Sequence, residues 1–396
     1  MVSPTPLLEE FEFDSSKKAN QCTRTKKAAF VMLILSMTIG LIWISIKLTT
    51  SKSQAKILYI YTSTEATQPY MKAQVIDVNN QAFKCVLSDP PIHGHGDVIG
   101  LINGTIPIMC GGFGYFHVGW YHNNFTSLKS CFVLKNKTWT QTTDLLEGVF
   151  ESGRGNVVIN GSLLIHGGIT GGDHIWYVTD YGTRDPMDQL DSVELVSPRH
   201  HQSLPKIPMT ISNHCNMKVN STTILVTGGS PNDSGNVSNQ TQYHYPYDSV
   251  KSSNQTHFHN LVSGSWTQGP TMTMERARHA CASFELKGRR IYVVGSKWNK
   301  TLEFLDSEDL DQGWQMINPL PSEMTTMVTS LDGKSVYALG HWSQVLDAKI
   351  CQLQCTSQSL QSCTWKILER ESVGRMHGRD IAALPIPDAV ASELCD

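Results

Sequence analysis

The chain has 396 residues, of which 32 are Lys or Arg and 35 are Asp or Glu, so its formal net charge is -3, and 40% of the residues are apolar. This composition is typical of a folded globular protein. It argues against a nucleic-acid partner, because binding to phosphates requires an excess of Lys and Arg on one face.

An uncharged apolar stretch near the N-terminus is the first pattern along the chain. It spans residues 28–46 and includes Phe30, Leu33 and Trp43. Its length is close to the roughly 20 residues that cross a bilayer. A cleaved signal peptide is the alternative, but its apolar core would be shorter. The stretch predicts a signal-anchor helix in the lipid bilayer after a cytoplasmic tail at 1–27, and the Lys and Arg residues that precede it favour a cytoplasmic N-terminus.

Potential N-glycosylation sites support the same topology. Each is an Asn-X-Ser/Thr sequon without Pro at X, and all follow the apolar stretch: Asn103, Asn124, Asn136, Asn160, Asn220, Asn232, Asn236, Asn239, Asn254 and Asn299. Glycans are added in the secretory pathway. The sequence therefore predicts a type II membrane glycoprotein of the cell surface or a secretory-pathway membrane. Its stalk would be residues 47–69, with room for one strand packed on the domain, and its ectodomain residues 70–396.

The cysteines after the apolar stretch fit an oxidising compartment, where disulfides form. Their number is odd, which leaves one thiol outside any intramolecular pairing. Cys110 ends one predicted strand and Cys131 lies in the next, while Cys355 and Cys363 flank a connection of hairpin length. Both pairs are candidate disulfides. None of the cysteines has the paired spacing of a zinc site.

A glycine doublet, or a pair that keeps only the first glycine, recurs after short apolar runs. The five copies are Gly111-Gly112, Gly167-Gly168, Gly228-Gly229, Gly295-Ser296 and Gly340-His341. A tight-turn signal such as Asn103-Gly104 or Asn160-Gly161 precedes each run, which is typical of a β-hairpin. The spacing of roughly 45–67 residues lies in or near the range for propeller blades. We expect the glycines to be structural and not to bind phosphate, because no helix start with a Lys follows them.

Large aromatics complete the repeat, as Trp139, Trp266, Trp314 and Trp365 follow the third predicted strand of their units. A diglycine after the second strand and a Trp in the fourth resemble the kelch repeat, over residues 70–387. The resemblance implies an all-β, six-bladed kelch-type β-propeller behind an N-terminal transmembrane helix. Five blades would span about 91–146, 147–206, 207–272, 273–322 and 323–371.

The sixth blade is predicted to combine both ends of the ectodomain. Residues 70–90 would supply its last two strands and residues 375–387 its inner strands. Such closure removes exposed sheet edges. Cys85 and Cys395 would then lie near the seam, which makes a disulfide between them a testable hypothesis.

Candidate binding residues fall into two sets. Trp120, Trp176, Trp298 and Trp342 lie between the second and third strands of their units, and inter-blade packing is the alternative role for them. His214 and His279 open the first strands of two blades, where they would line a water-filled central channel. The two His-X-His pairs, at His93 and His257, are interpreted as loop residues, and no metal site or cofactor is predicted.

Two functions remain open at this stage. The first is a membrane-tethered module that binds an extracellular or lumenal protein or glycan, without catalysis. The alternative is a propeller enzyme or viral-type attachment glycoprotein, sialidase-like or copper-oxidase-like. No local catalytic motif favours the enzyme, although residues brought together from different blades would leave no such motif.

Overall fold

The structure is a computed structural model that describes residues 56–63, 70–80, 84–91, 98–117, 122–171, 174–177, 188–232, 252–295, 300–321, 326–340, 349–356, 359–368 and 376–396, together with 32 and 36–38. Gln54–Asp396 forms one compact unit and Met1–Ser53 another. The predicted membrane span at 28–46 lies almost wholly outside the described residues. Within the residues that are described, no helix has both the length and the apolar character needed to cross a bilayer.

Six four-stranded antiparallel sheets build the larger unit. In order from the inner to the outer strand, blade 1 is β4 (Val98–Ile102), β5 (Ile106–Cys110), β8 (Cys131–Lys135) and β9 (Thr138–Gln141). Blade 2 is β10 (Val158–Ile159), β11 (Ser162–Thr170), β13 (Asp188–Ser197) and β14 (His200–Ser203). Blade 3 is β16 (Cys215–Lys218), β17 (Thr223–Thr227), β19 (Thr256–Asn260) and β20 (Trp266–Gln268).

Blade 4 is β21 (Ala280–Leu286), β22 (Arg289–Gly295), β23 (Leu302–Asp306) and β24 (Gln315–Ile317). Blade 5 is β25 (Thr326–Thr329), β26 (Val336–Gly340), β27 (Lys349–Cys355) and β28 (Cys363–Leu368). Blade 6 is β29 (Met376–Ile386), β1 (Lys56–Ser63), β2 (Tyr70–Asp77) and β3 (Lys84–Val86). The all-β, six-bladed propeller predicted from the repeats is confirmed.

Shorter elements complete the described chain. A three-stranded sheet contains β6 (Phe113–His117), β7 (His122–Ser127) and β12 (His174–Tyr177), and β15 (Thr210–Ser212) pairs with β18 (Ser230–Asn232). Helix α1 (Asp388–Cys395) follows β29, and two 3-10 turns lie at Leu310–Gln312 and Leu360–Ser362.

Blade 6 closes the ring with strands from both ends of the chain, but with a different division from the one predicted. β1 lies inside the segment interpreted as a stalk, where it pairs with both β29 and β2. Three strands therefore come from the N-terminal side and one from the C-terminal side. The reason is the apolar run Ile57–Ile60, which is buried throughout because a second strand has neighbouring blades on both faces. Blade 6 begins at Lys56 and not at residue 70.

The glycine doublets have the structural role expected of them. Gly228 and Gly229 both have positive φ, at 56° and 92°. The amide of Gly229 donates to the Arg276 carbonyl at 2.8 Å, and a Cβ on Gly228 would lie 2.4 Å from that same oxygen. The doublet is thus the point where the chain entering the next blade crosses the second strand, which leaves no room for a side chain.

Two of the fourth-strand tryptophans, Trp139 and Trp314, fill space between neighbouring blades. Both are buried, and each indole N–H donates to a backbone carbonyl of the connection that leads from the preceding blade. The acceptors are Ser88 at 3.1 Å and Pro270 at 3.0 Å. A satisfied N–H avoids the cost of an unpaired buried donor at these two positions, whereas the indole N–H groups of Trp266 and Trp365 have no partner among the described residues.

Four disulfides join eight of the nine described cysteines, and the ninth, Cys351, is buried and is not part of a disulfide. Cys110–Cys131 links β5 to β8, Cys355–Cys363 links β27 to β28, and Cys85–Cys395 fastens β3 to α1. These are the three pairs that the sequence indicated. The fourth, Cys215–Cys281, was not predicted: it joins the inner strands of blades 3 and 4.

Candidate functional site

The two ends of the propeller carry different features. In blades 1 to 5 the turns between strands one and two and between strands three and four lie at one end, here called the hairpin end; in blade 6, β29 ends and β1 begins at that end. The connections between strands two and three, and those from blade to blade, lie at the opposite loop end. Lys56, the first residue of β1, is paired with Ile386 at the hairpin end. The chain N-terminal to β1 therefore joins the propeller at the hairpin end, and α1 begins there too, where Lys56 contacts Asp388 at 3.4 Å.

Sequons occur at both ends. Four of them, Asn103, Asn136, Asn160 and Asn220, are exposed in tight turns of the hairpin end. Asn124 and Asn232 lie in β7 and β18, and Asn254 is half-buried before β19. Asn236, Asn239 and Asn299 lie outside the described residues. An exposed turn is the setting in which an Asn side chain is accessible for modification.

The loop end carries the additional sheets. β6 and β7 form a hairpin in the connection of blade 1, and β12 comes from the connection of blade 2. This three-stranded sheet is rich in aromatic residues, with Tyr115 opposite Phe125 in the register of β6 and β7. The second-to-third-strand connections of blades 1 and 2 are thus joined into one sheet by the pairing of β7 with β12.

All four candidate tryptophans belong in sequence to second-to-third-strand connections, whose flanking strands end at the loop end. Trp176 lies in β12, opposite Asn123 of β7. Trp120, Trp298 and Trp342 lie outside the described residues. The structure therefore brings the four connections to one end of the propeller and leaves the contacts of these residues as a prediction.

His214 and His279 do not line an open channel, which corrects the expectation from sequence. Both side chains are buried. His279 Nε2 lies 2.9 Å from the Thr227 hydroxyl, in the space between blades 3 and 4. Burial lowers the pKa of His279 well below its usual range, and the nearby Arg276 and Arg154 lower it further. The reason is that the glycine doublets of the preceding blades lie against these rings: a Cβ on Gly167 would lie 3.2 Å from the His214 ring, and one on Gly228 would lie 2.9 Å from the His279 ring.

His214 belongs to a histidine cluster between blades 2 and 3, which we define as His166, His214 and His259. His166 Nδ1 lies 2.9 Å from His214 Nε2, and His166 Nε2 lies 3.1 Å from His259 Nδ1. All three side chains are buried. The indole of Trp266 lies parallel to the His166 ring with 6.2 Å between centroids and also contacts His257 and His259.

Local sequence explains how the cluster is assembled. His166 continues the face of β11 that carries Leu164, which packs with Ile224 and Val226 of blade 3. Gly153 lets the chain pass beside the cluster, because a Cβ there would lie 1.8 Å from the Asn216 amide nitrogen. The cluster is thus the polar end of an otherwise apolar interface.

The pair His257 and His259, interpreted from sequence as loop residues, instead lies within β19. His259 is fully buried and His257 half-buried, and burial lowers the pKa of each, to about 4 for His259. The pKa of His214 is lowered to about 3 by the same cause. His93 and its partner lie outside the described residues. His166 was missed, since a single His in an apolar run carries no sequence signal.

Several buried polar atoms near the cluster have no hydrogen-bond partner among the described residues. They include His214 Nδ1, His259 Nε2 and both amide atoms of Asn216. Within the same part of the chain, no group of three or more His, Cys, Asp or Glu residues is arranged to hold a metal ion. The two ring contacts of His166 use both of its nitrogens, which leaves that ring no lone pair for a ligand.

A charged pair links blades 2 to 4 at the loop end. Glu151, Asn213 and Arg278 occupy matching places before the inner strands of these blades, all with positive φ. The amide of Asn213 donates to the Glu151 carbonyl and that of Arg278 to the Asn213 carbonyl. Arg278 also pairs with the Glu151 carboxylate. The arrangement fixes the spacing of three blades around the axis.

Comparisons with known proteins support the fold and nothing finer. No family model matches the chain, and no curated protein sequence matches it. Among solved structures, one titled "Structure of YjhT" matches with a TM-score of 0.54 at 8% identity, over 78% of this chain and 96% of that chain. At that identity the likeness concerns the architecture alone. The chain is therefore a six-bladed β-propeller of the kind seen in that structure.

Proposed function

We propose that the protein is a type II membrane glycoprotein whose kelch-type propeller binds an extracellular or lumenal protein or glycan through the loop end. The observation that carries the proposal is topological. The chain from the N-terminus joins the propeller at the hairpin end, whereas the second-to-third-strand connections with the four tryptophans belong to the opposite end.

The disulfides support an oxidising compartment. Four bonds among nine cysteines that follow the apolar stretch are the pattern of a protein of the cell exterior or secretory pathway. The ten sequons in the same part of the chain agree with that compartment. Together with the apolar stretch at 28–46, they favour a domain held on the exterior or lumenal side of a membrane.

The composition of the second-to-third-strand connections supports the binding role. Loops on a rigid scaffold are where binding residues concentrate, and Trp is enriched among residues that dominate binding energy.

The test adds one bulky glycan to each end of the same blade. Thr271→Asn creates a sequon in the connection from blade 3 to blade 4 at the loop end, where Thr271 is exposed. Val262→Thr completes a sequon that begins at Asn260, in a hairpin-end turn where Val262 is 72% exposed. Asn260 Oδ1 accepts backbone N–H bonds within its turn, as Asn220 Oδ1 does in another hairpin-end turn. The two variants are therefore matched except for the end they modify.

Each variant is expressed as the full chain in mammalian cells, and glycan addition is checked by the mobility shift on peptide-N-glycosidase treatment. The probes are suspended erythrocytes and epithelial cells, used intact or after sialidase or trypsin treatment. We expect Thr271→Asn to reduce adhesion about tenfold or more and Val262→Thr to leave it within about twofold. Sensitivity to sialidase or to trypsin distinguishes a glycan receptor from a protein receptor.

Three outcomes contradict parts of the proposal. Loss of adhesion in Val262→Thr but not in Thr271→Asn would reverse the assignment of the binding end. A full chain without glycans, or one released from membranes by carbonate, would remove the type II topology. Failure of intact cells of both kinds to adhere would remove receptor binding at these surfaces.

A further inference from the structure

The histidine cluster lies where two blades meet. His166 comes from β11 of blade 2, while His214 and His259 come from the start and the third strand of blade 3. Every ring contact of His166 therefore crosses the interface. A change in the charge of these rings acts on the contact between blade 2 and blade 3 and not within either sheet.

The hydrogen bonds of the cluster limit how many protons it can hold. A neutral imidazole has one N–H and one acceptor nitrogen, so a chain of three neutral rings satisfies both contacts of His166. One added proton can be placed on His166 if both neighbours accept from it. A second added proton forces two N–H groups to face each other across a contact of 2.9 or 3.1 Å. At least two of the three rings must therefore remain neutral for the interface to stay closed.

Basic side chains lie on the elements around the cluster. Blade 3 contributes the half-buried His257 of β19 and Lys218 of β16, whose ammonium donates to the Val158 carbonyl of blade 2. The chain entering blade 2 contributes Arg154, whose backbone pairs with that of Cys215. The next interface contributes Arg276 and His279, and Arg276 is already paired with Glu303.

No described carboxylate is hydrogen-bonded to the three rings, since His166 contacts the other two and the remaining ring nitrogens have no partner among the described residues. Glu151 pairs with Arg278, and Glu194 on β13 contacts His201 and the amide of Leu146 instead. Burial and the mutual contacts hold the pKa of His166 well below its usual range. A solvated His has a pKa near 6.5, so separating the blades would allow all three rings to take up protons.

The disulfides secure other parts of the ring. Cys215–Cys281 ties blade 3 to blade 4, and Cys85–Cys395 fastens α1 to blade 6. The other two bonds lie within blades 1 and 5. Among the described residues, no disulfide joins blade 2 to blade 3.

We propose that the interface between blades 2 and 3 is an acid-opened seam, in which protonation of the histidine cluster separates these two blades while the disulfide-linked blades 3 and 4 stay together. The seam opens within the pH range of acidic secretory or endocytic compartments, about 5 to 6.5. The loop end would change with it, because β15, which leads into His214, lies against β11 and β13.

The size of the effect follows from linkage. A ring with a pKa of about 4 when buried and 6.5 when solvated shifts the opening equilibrium about 30-fold at pH 5 relative to neutral pH. Two rings that must stay neutral in the closed state give a shift of about 900-fold. The same groups have no effect above pH 7, where they are neutral in both states.

The experiment is hydrogen exchange with mass spectrometry on the full chain in detergent micelles at pH 7.4 and 5.0, corrected for the intrinsic exchange rate. We expect peptides containing β11, β16 and β19 to lose protection at pH 5.0 by about 100-fold or more, while peptides containing β22 and β23 of blade 4 keep theirs. The variant His166→Gln/His214→Gln/His259→Gln removes the titrating rings. The matched control His200→Gln changes an exposed residue of blade 2.

The triple variant is expected to exchange alike at both pH values, and His200→Gln to behave as the wild type. Should the triple variant fail to fold, the single His259→Gln variant is expected to reduce the loss of protection at pH 5.0 by about 30-fold. Equal loss in blade 4, no loss at pH 5.0, or an acid response that survives removal of the rings would each overturn the proposal. None of these readouts depends on a receptor, so they are separate from the adhesion test.

Discussion

Removal of the disulfide between Cys85 and Cys395 has a predictable effect on the melting temperature. It closes a loop with a sequence separation of 310, whereas Cys355–Cys363 closes one of 8. In the chain-entropy model, the stabilisation grows with the logarithm of loop length and amounts to about 5.7 kcal/mol for the long loop and about 2.5 kcal/mol for the short one. Helix α1 remains docked without the bond through Val390, Ala391 and Leu394, which are buried.

The variants are Cys85→Ala/Cys395→Ala and Cys355→Ala/Cys363→Ala, which avoid leaving a lone thiol. A unit of the size of Gln54–Asp396 has an unfolding entropy of about 0.7 kcal/mol/K, so the melting temperature should fall by about 8 °C for the first pair and about 3.5 °C for the second. Differential scanning calorimetry without reductant measures both. The reasoning is refuted if removal of the long-loop disulfide lowers the melting temperature no more than removal of the short-loop one.

Three further predictions use the same purified chain and denaturant unfolding. Gly153→Ala should lower the free energy of unfolding by about 1–3 kcal/mol, because its Cβ would lie 1.8 Å from the side-chain amide nitrogen of Asn216. An unchanged denaturant midpoint of unfolding would contradict this prediction. Glu303→Gln should lower the free energy of unfolding by about 3–5 kcal/mol, because the fully buried guanidinium of Arg276 loses its counter-charge. The matched control Asp89→Asn, at an exposed ion pair, should change it by less than about 1 kcal/mol. The free energy of unfolding should be constant above pH 7 and should fall below pH 6.5, because the folded state binds fewer protons than the unfolded one. At pH 5 the loss should be about 2 kcal/mol for each of the two clustered rings that must stay neutral. A rise in the free energy of unfolding on acidification would exclude the assigned sign.

Most of the fold could be predicted because its signals are local. A turn such as Asn160-Gly161 and a doublet such as Gly167-Gly168 fix a hairpin and its crossing point within about ten residues of each other. Repetition of that unit then predicts blades and their closure. β1 was not assigned to a blade, because its apolar run before residue 70 has no doublet or turn to tie it to one. The strand β19 was also missed at His257 and His259, which were interpreted as loop residues.

The candidate site was less predictable, because its members meet only through packing between blades. His166 and His259 are 93 positions apart, and neither the spacing nor the composition around His166 marks it. Cys215–Cys281 was missed for the same reason, since the two inner strands it joins belong to different repeats. His214 was assigned to an open channel, whereas its ring is buried against a neighbouring blade, which only the three-dimensional structure shows.

By itself, the sequence determined a repeated four-stranded unit and the number of units, and it gave three candidate disulfides and the expectation of a membrane-anchored glycoprotein. The tertiary structure alone decided which end of the ring the chain enters, which connections share the opposite end, and which histidines are forced into contact without solvent. The physical reason is the distance along the chain between the residues that interact. Turns and strands are specified by residues close in the chain, whereas the burial and charge state of an imidazole depend on neighbours that come close only when the blades close into a propeller.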